Sequence, residues 1–251
     1  MKIKYTKSIV AFIDVLGFTN LIYSQRNESI ENYYNYIITD FQANLKSNFK
    51  YTLISDSIVI YSNYSEENFF NLCKALSSIQ AKLLFLRVIV RGGISFGNLY
   101  TNKKNNIIVG EGLVKAYKLE SLAFYPRIII DREFIRDFSA GTSDFLKKSN
   151  VSLSYEQSEI NEGYIWIDYI KFLVSSSTIL YKGERYLFLY DFLKENYYSN
   201  LYFQKYKWII SNLIYSLQYE VKYHKSYSGF SKSSRVKSKR AHELLFKFQQ
   251  L

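Results

Sequence analysis

Apolar positions along this chain repeat with two different periods, and the changes between them mark its elements. Ile9-Val-Ala-Phe-Ile13 is an unbroken apolar run of strand length and predicts a buried strand. From Phe18 to about Lys46, Leu21, Ile22, Ile30, Tyr33, Ile37 and Phe41 recur at helical intervals and predict a helix. Tyr51 to Tyr61 reads as two short strands meeting at Ser55-Asp56. Phe69, Phe70, Leu72, Cys73, Leu76, Ile79 and Leu83 predict a second helix, followed by a strand over Val88 to Ile94. Gly97 to Asn106 is rich in turn residues and predicts a hairpin returning through Ile107-Ile-Val109, and Gly112 to Leu122 is helical again. Pro126, the only proline, opens Pro126-Arg-Ile-Ile-Ile-Asp131 and marks it as the start of an edge strand.

This β-α-β-β-α-β order is that of the split βαβ, an α+β ferredoxin-like palm whose antiparallel sheet carries helices on one face. In that topology the first strand and the hairpin at Asp56 are neighbours. Beyond about Gly163 the pattern changes. Ile165 to Ile170 and Tyr186 to Tyr190 read as strands. Leu201, Tyr206, Ile209, Ile210, Leu213, Ile214 and Leu217 then recur at helical spacing, as a core helix or subunit contact would. The expected organisation is a catalytic domain over residues 1–150, with a C-terminal β/α extension over 151–251 packed on it and ending in a basic tail, 222–251.

Composition narrows the class of protein. With 251 residues, 48% of them hydrophobic, a sizeable core is available. No run of about 18 apolar residues occurs and the N-terminus lacks a signal-peptide pattern, so a cytoplasmic, non-membrane protein is expected. Cys73 is the single cysteine, which excludes a disulfide framework and a cysteine zinc site. The formal net charge of +11 favours anionic partners without choosing among nucleotides, nucleic acid and lipid. Lys232, Arg235, Lys237, Lys239 and Arg240 concentrate part of it among serines, most simply as a solvated, flexible segment.

The candidate chemistry lies at Asp14 and Asp56. Each ends or interrupts an apolar strand-like run, and an unpaired carboxylate in such surroundings costs several kcal/mol or more. Two of them at one sheet rim point to a shared cation, with salt bridges to buried arginines as the structural alternative. After Asp14, the Val15-Leu16-Gly17-Phe18-Thr19 turn offers backbone N–H groups to an anion such as a triphosphate. Two carboxylates holding divalent ions beside a triphosphate suit phosphoryl transfer.

These residues resemble those of the class III nucleotidyl cyclases. The family's strand motif Phe-x-Asp-x-x-Gly-Phe-Thr is met by Phe12, Asp14, Gly17, Phe18 and Thr19. Its second metal aspartate, usually preceded by glycine, corresponds to Asp56 after Ser55. Arg91-Gly92-Gly93-Ile94-Ser95-Phe96-Gly97 resembles its arginine-glycine strand, and Gly110 to Glu120 resembles the helix that follows. The resemblance spans roughly residues 8–131 and departs from the family in three places. Thr52 stands where adenylate cyclases carry an adenine-contacting lysine, and Val114 and Lys118 stand where the family has asparagine and a transition-state arginine.

Ser-Asp-Ser at the hairpin, Ala-Tyr-x-Leu-Glu in the helix and Tyr-Pro-Arg-Ile after it are similar to the bacterial pyrimidine cyclases of Pycsar antiphage defence. That resemblance implies conversion of UTP, or CTP, to the 3′,5′-cyclic monophosphate, read by a separate effector. It further implies two Mg²⁺ or Mn²⁺ ions on Asp14, Asp56 and the Val15 carbonyl. Gly17, Phe18, Thr19, Thr52 and Ser55 would lie along the nucleotide, Arg91 or Arg127 would assist, and Lys118 would reach across a homodimer whose sites lie at the interface.

Three other readings compete. The first is a catalytically degenerate cyclase-like module that binds nucleotide or dimerises; a purine cyclase is a variant of the main reading. The second is a hydrolase, because Gly93-Ile-Ser95-Phe-Gly97 matches Gly-x-Ser-x-Gly with Asp191 and His224 in triad order. The third, a basic nucleic-acid-binding protein, is not the expected one. His224 and His242 read as plain surface residues.

Overall fold

The computed structural model describes residues 3–23, 27–149, 151–156, 163–176, 179–198, 202–225 and 232–251, the side chains of 224 and 225 excepted. The chain divides into two compact units, Met1–Asp168 and Tyr169–Leu251.

In the first unit, β1 (Thr6–Val15) leads through a short helix α1 (Phe18–Tyr23) and α2 (Asn27–Thr39) to the hairpin β2 (Lys50–Ile54) and β3 (Ser57–Asn63). The long helix α3 (Glu66–Phe85) then returns the chain to β4 (Val90–Asn102), β5 (Ile107–Gly110) and α4 (Glu111–Leu122). After these come β6 (Ile128–Ile130), the short helices α5 (Glu133–Phe138) and α6 (Thr142–Lys148), β7 (Leu153–Glu156) and β8 (Tyr164–Ile167). The strands form one sheet in the order β2-β3-β1-β4-β6-β8-β7, with β5 paired to the far end of β4. Pairing is antiparallel throughout except between β4 and β6. The β2-β3-β1-β4 half is the split βαβ, so the α+β fold read from the element order is the one observed.

Alternation along β1 explains where its side chains go. Ile9, Ala11, Ile13 and Val15 join one core with Tyr33, Tyr36 and Ile37 of α2 and with Phe69, Leu72 and Leu76 of α3. Val10 and Phe12 face the other way and pack with Val59, Leu113 and Ala116. Helices therefore cover both faces of the sheet, not one: α2 and α3 lie on the first and α4 on the second. Glycine makes the second contact possible. A Cβ on Gly93 would sit 2.3 Å from the Ala116 carbonyl oxygen and 2.4 Å from Leu119 Cβ, and one on Gly97 would sit 2.7 Å from the Gly112 nitrogen.

Other expectations from the sequence are corrected. The helix expected from Phe18 to Lys46 is two helices followed by a 3-10 turn at Gln42–Asn44. Gly97 is not the start of a turn, because β4 runs on to Asn102 and the reversal falls at Lys103–Asn105. Pro126 does not introduce an edge strand: β6 lies between β4 and β8, with Ile128, Ile129 and Ile130 all buried. Pro126 precedes the strand, so its missing N–H costs the ladder nothing.

The second unit is helical in its described residues: α7 (Tyr169–Ser175), α8 (Arg185–Tyr197), α9 (Phe203–Lys225) and α10 (Lys232–Phe248). Strand character ends at Ile167, and Tyr169-Ile170 already belongs to α7. Tyr186 to Tyr190 is helix, with Tyr186, Leu189, Phe192 and Leu193 buried at helical spacing. A five-residue apolar run cannot distinguish the two states, and the aromatic content favoured the wrong one. The basic stretch after residue 231 is also ordered helix, held by buried Ala241, Leu244 and Phe248. Leu201 lies outside the described residues.

Gly93→Ala should destabilise the protein by roughly 1–3 kcal/mol, because α4 backbone must move to admit one methyl group. Urea unfolding measures this against exposed Lys147→Ala, expected to shift stability by less than about 0.5 kcal/mol.

Candidate active site

Asp14 follows Val10 and Phe12 on the second face of β1, one step from the strand's end. It pairs across the ladder with Arg91 of β4, and on its other side receives a 3.0 Å hydrogen bond from Ser57 Oγ of β3. Its side chain is 22% exposed, so it opens to solvent while most of its surroundings are protein.

Asp56 reaches the same rim from a two-residue turn. Ile54 and Ser57 are the last pair of the β2-β3 ladder, leaving Ser55-Asp56 to reverse the chain. Ser55 has φ +55°, the left-handed conformation that glycine adopts more cheaply; for serine it costs about 1–2 kcal/mol. Two consecutive tyrosines of α2 clamp the turn. Tyr33 donates its hydroxyl proton to the Asp56 carbonyl oxygen at 3.0 Å, and Tyr34 donates to that of Ser55 at 3.2 Å. A strained turn pinned at both carbonyls is what delivers the Asp56 carboxyl to Asp14.

The two carboxyls lie close enough for each charge to be felt by the other. Burial raises the affinity of Asp14 for a proton, Ser57 and Arg91 oppose the shift, and the neighbouring Asp56 charge adds to it, for a net rise above the ordinary carboxylate value of 3.8. Arg91 is chiefly engaged elsewhere. Its Nε stands 2.6 Å from Glu120 Oε1, whereas its Nη2 is 3.8 Å from Asp14 Oδ2. Glu120 is 4% exposed on α4, and burial raises its proton affinity against the pull of Arg91. Arg91 thus contacts two carboxyls, with Asp56 beside Asp14, and these four groups together carry more negative charge than positive.

That surplus fits a divalent cation. Among the described residues, no three His, Cys, Asp or Glu side chains are grouped to hold a metal ion by themselves. Asp14 and Asp56 supply the two-carboxylate arrangement that magnesium accepts when substrate oxygens complete its shell.

The remaining expected residues divide into near and far. Gly17 turns the chain after β1 with φ +76°, and its carbonyl accepts from the Leu21 N–H at 3.0 Å. Val15 is buried, Phe18 packs edge-on against Tyr34, and Thr19 is exposed. Since α1 has only six residues, its dipole adds little to the attraction of an anion, contrary to what a long helix would have given. Thr52 pairs with Val59 and so shares Asp14's face, where it lines a groove of about 540 Å³. The other wall of the groove is the β4-β5 reversal, with Asn102, Lys103, Asn106 and Ile108. Lys118 is exposed on α4, about 200° around the helix from Glu120. It does not point at Asp14 of its own chain.

Sequence reading missed Ser57, Tyr33, Tyr34 and Glu120 as parts of the site. Ser57 and Glu120 stood inside the motifs quoted for the resemblance; Tyr33 read as a core residue of a helix, and Tyr34 fell outside that period. The hydrolase reading fails on geometry. Ser95 lies mid-strand with no exposure and donates to Asp131 Oδ2 at 2.5 Å, so there is no strand-to-helix elbow to present it. His242 lies on α10 with its ring against the Ser238 carbonyl oxygen; the side chain of His224 lies outside the described residues.

No protein-family model and no curated protein matches this chain. Among solved structures it is similar to the catalytic core of a rhodopsin-guanylyl cyclase with converted specificity, in complex with ATPαS. The identity is 15% and the TM-score 0.49, over 66% of this chain and 98% of that one. A non-canonical dimeric guanylyl cyclase domain of the RhoGC fusion protein from Blastocladiella emersonii gives 16% and 0.49, over 67% and 98%. An adenylate/guanylate cyclase/hydrolase from Silicibacter pomeroyi gives 10% and 0.47, over 66% and 97%. The functional assignment rests on the site's own geometry.

Asp14→Asn should stabilise the metal-free protein at neutral pH by on the order of 1 kcal/mol. Because folding raises the proton affinity of Asp14, stability falls as pH climbs from the ordinary carboxylate value through the raised one. The variant should flatten that fall in urea titrations with chelator run upward in pH from the ordinary carboxylate value. Unchanged or lower stability would show that the carboxyls do not repel.

Proposed function

We propose that this protein is a nucleotidyl cyclase that converts a pyrimidine nucleoside triphosphate, UTP or CTP, to its 3′,5′-cyclic monophosphate and pyrophosphate. The observation that carries the reading is the convergence of Asp14 and Asp56 on one rim of the split βαβ sheet, close enough for one charge to raise the proton affinity of the other.

Asp14 and Asp56 would hold Mg²⁺ or Mn²⁺, two per site, with the Val15 carbonyl as a further ligand. Bound there, such ions acidify the attacking 3′-hydroxyl and offset charge on the leaving group. The 3′-hydroxyl loses its proton to water and its oxygen forms a bond to the α-phosphorus as the bond to the bridging β-phosphate oxygen breaks, and pyrophosphate leaves with the electron pair. Ser57 and Arg91 hold Asp14 in place. Gly17 turns the chain so that the N–H groups of Phe18 and Thr19 are available to phosphate oxygens. The clamped Ser55 turn fixes Asp56.

Base choice is assigned to the groove at Thr52. A threonine hydroxyl there, without the longer lysine of the adenylate cyclases it resembles, suits a site that does not select adenine. Lys118, turned away from its own carboxylates, would serve a partner's site in a homodimer and steady phosphate charge as a point cation. Exposed Val114 and Tyr117 on the same helix give that dimer an apolar contact. In this reading the product is a second messenger in antiviral defence, acting on a separate effector. Among the described residues no helix is long and apolar enough to cross a membrane.

Purified protein given all four nucleoside triphosphates with Mn²⁺ should release pyrophosphate and cyclise UTP or CTP in preference to ATP or GTP. Asp56→Ala should lower turnover about 10³-fold or more while the fold is kept. Mixing Asp56→Ala with Lys118→Ala should restore up to about a quarter of the activity through heterodimers with one intact site. Nucleotide binding without pyrophosphate release would instead make the protein a binding module, and cyclisation of purines alone would overturn the base assignment.

A further inference from the structure

The second unit, Tyr169–Leu251, carries 14 Lys and Arg against 5 Asp and Glu, so it holds most of the chain's net charge of +11. The first half of α10 gathers this charge without relief: Lys232, Arg235, Lys237, Lys239 and Arg240 fall in its first nine residues, and its first turn has no acidic residue. Cations at a helix N-terminus oppose the helix dipole, an arrangement that an anion at the same place would reverse.

Such a place exists. A groove of about 490 Å³ is lined by Lys232, Ser233, Val236, Lys237 and Arg240 of α10 and by Tyr181. Its volume falls in the range of pockets for small ligands, nucleotides among them. Two of the cations are fixed by the fold. Lys237 pairs with Glu220 of α9 and donates to the Ser175 carbonyl oxygen at 2.8 Å, and Arg240 donates to the Tyr181 carbonyl oxygen. Glu243 of the same helix accepts from the Tyr186 hydroxyl at 2.9 Å. Lys232 and Ser233 remain at the mouth, both exposed.

The decisive residue is Tyr181. It is only 3% exposed and forms part of the groove wall, yet among the described residues its hydroxyl has no hydrogen-bond partner. A buried hydroxyl left unpaired costs about 1–3 kcal/mol. Such a group is retained where a ligand supplies the missing partner. Glu220, whose charge reaches Tyr181, is paired with Lys237, so the groove presents donors.

We propose that this groove binds a small phosphate-bearing ligand, its phosphate received by the N-terminal turn of α10, Lys232 and Ser233, with the Tyr181 hydroxyl as a further donor. The site lies wholly within the second unit and is independent of the Asp14-Asp56 rim, so it offers this chain a place to sense a phosphorylated metabolite.

Calorimetry on the full chain carrying Asp14→Asn and Asp56→Asn, in chelator, removes the nucleotide-cyclising site from the measurement. Whether the cyclase reading holds or fails then leaves the result unaffected. Inorganic phosphate and pyrophosphate should bind with one site per chain and a dissociation constant near or below about 1 mM. Lys232→Gln, at an exposed position, should weaken binding roughly tenfold, and Tyr181→Phe about three- to tenfold. Tyr181→Phe should also leave the ligand-free protein as stable or more so, because it removes an unpaired buried hydroxyl. The proposal is overturned if neither anion binds, or if binding is indifferent to both substitutions. Sedimentation with phosphatidic acid vesicles without binding of free phosphate would also overturn it, since the attraction would then be to a charged surface.

Discussion

Two like charges brought together in a half-buried rim set the terms for the rest of the first unit. Left alone, Asp14 and Asp56 repel, and burial makes the repulsion costlier than it would be in water. The fold spends several of its features on holding them there. The split βαβ topology places β1 beside the β2-β3 hairpin, Ser55 accepts a backbone conformation better suited to glycine, and two tyrosine hydroxyls pin the turn. A purely structural rim would gain stability by losing one carboxylate. This one keeps both, with a third at Glu120 held by the same arginine, and the proposed cation would offset their charge.

Arg91 clarifies how near this arrangement lies to an inert salt bridge. Had its guanidinium closed on Asp14, the site would be neutral and the case for a metal would fail. Instead its short contact is to Glu120, with Asp14 a full ångström farther away. Glu120 thereby takes the shorter contact of Arg91 and leaves Asp14 the longer one, and it does so from α4, which approaches the sheet closely only because Gly93 and Gly97 have no side chain. The glycines of β4, the helix packing on them and the charge state of the rim are one connected device.

Much of this was legible in the sequence because local pattern and global topology agree over residues 6–122. The buried β1 run, the Ser55-Asp56 reversal and the amphipathic α3 each carry a period or turn signal strong enough to order the elements. The two carboxylates stood out because acidic residues rarely sit in such runs. What could not be read was cooperative. Tyr33 looked like an apolar helix residue, since a tyrosine's period reports its ring and not its hydroxyl, and Tyr34 fell outside that period. Glycine in β4 read partly as turn, although it marks a helix pressed onto a strand. The aromatic run at Tyr186 to Tyr190 was ambiguous by nature, and the basic segment at Lys232 to Arg240 looked solvated because its few apolar anchors, Ala241, Leu244 and Phe248, come after the charge.

The central claim is that Asp14 and Asp56 act together as one receptor for divalent cations. Titration of Mn²⁺, followed by loss of the free-ion paramagnetic resonance signal in the presence of a non-cyclisable UTP analogue, tests it directly. The wild-type chain should bind the ion, and Asp14→Asn and Asp56→Asn should each weaken binding by about tenfold or more, with the double variant little worse than either single one. Undiminished Mn²⁺ uptake by the double variant would contradict the account.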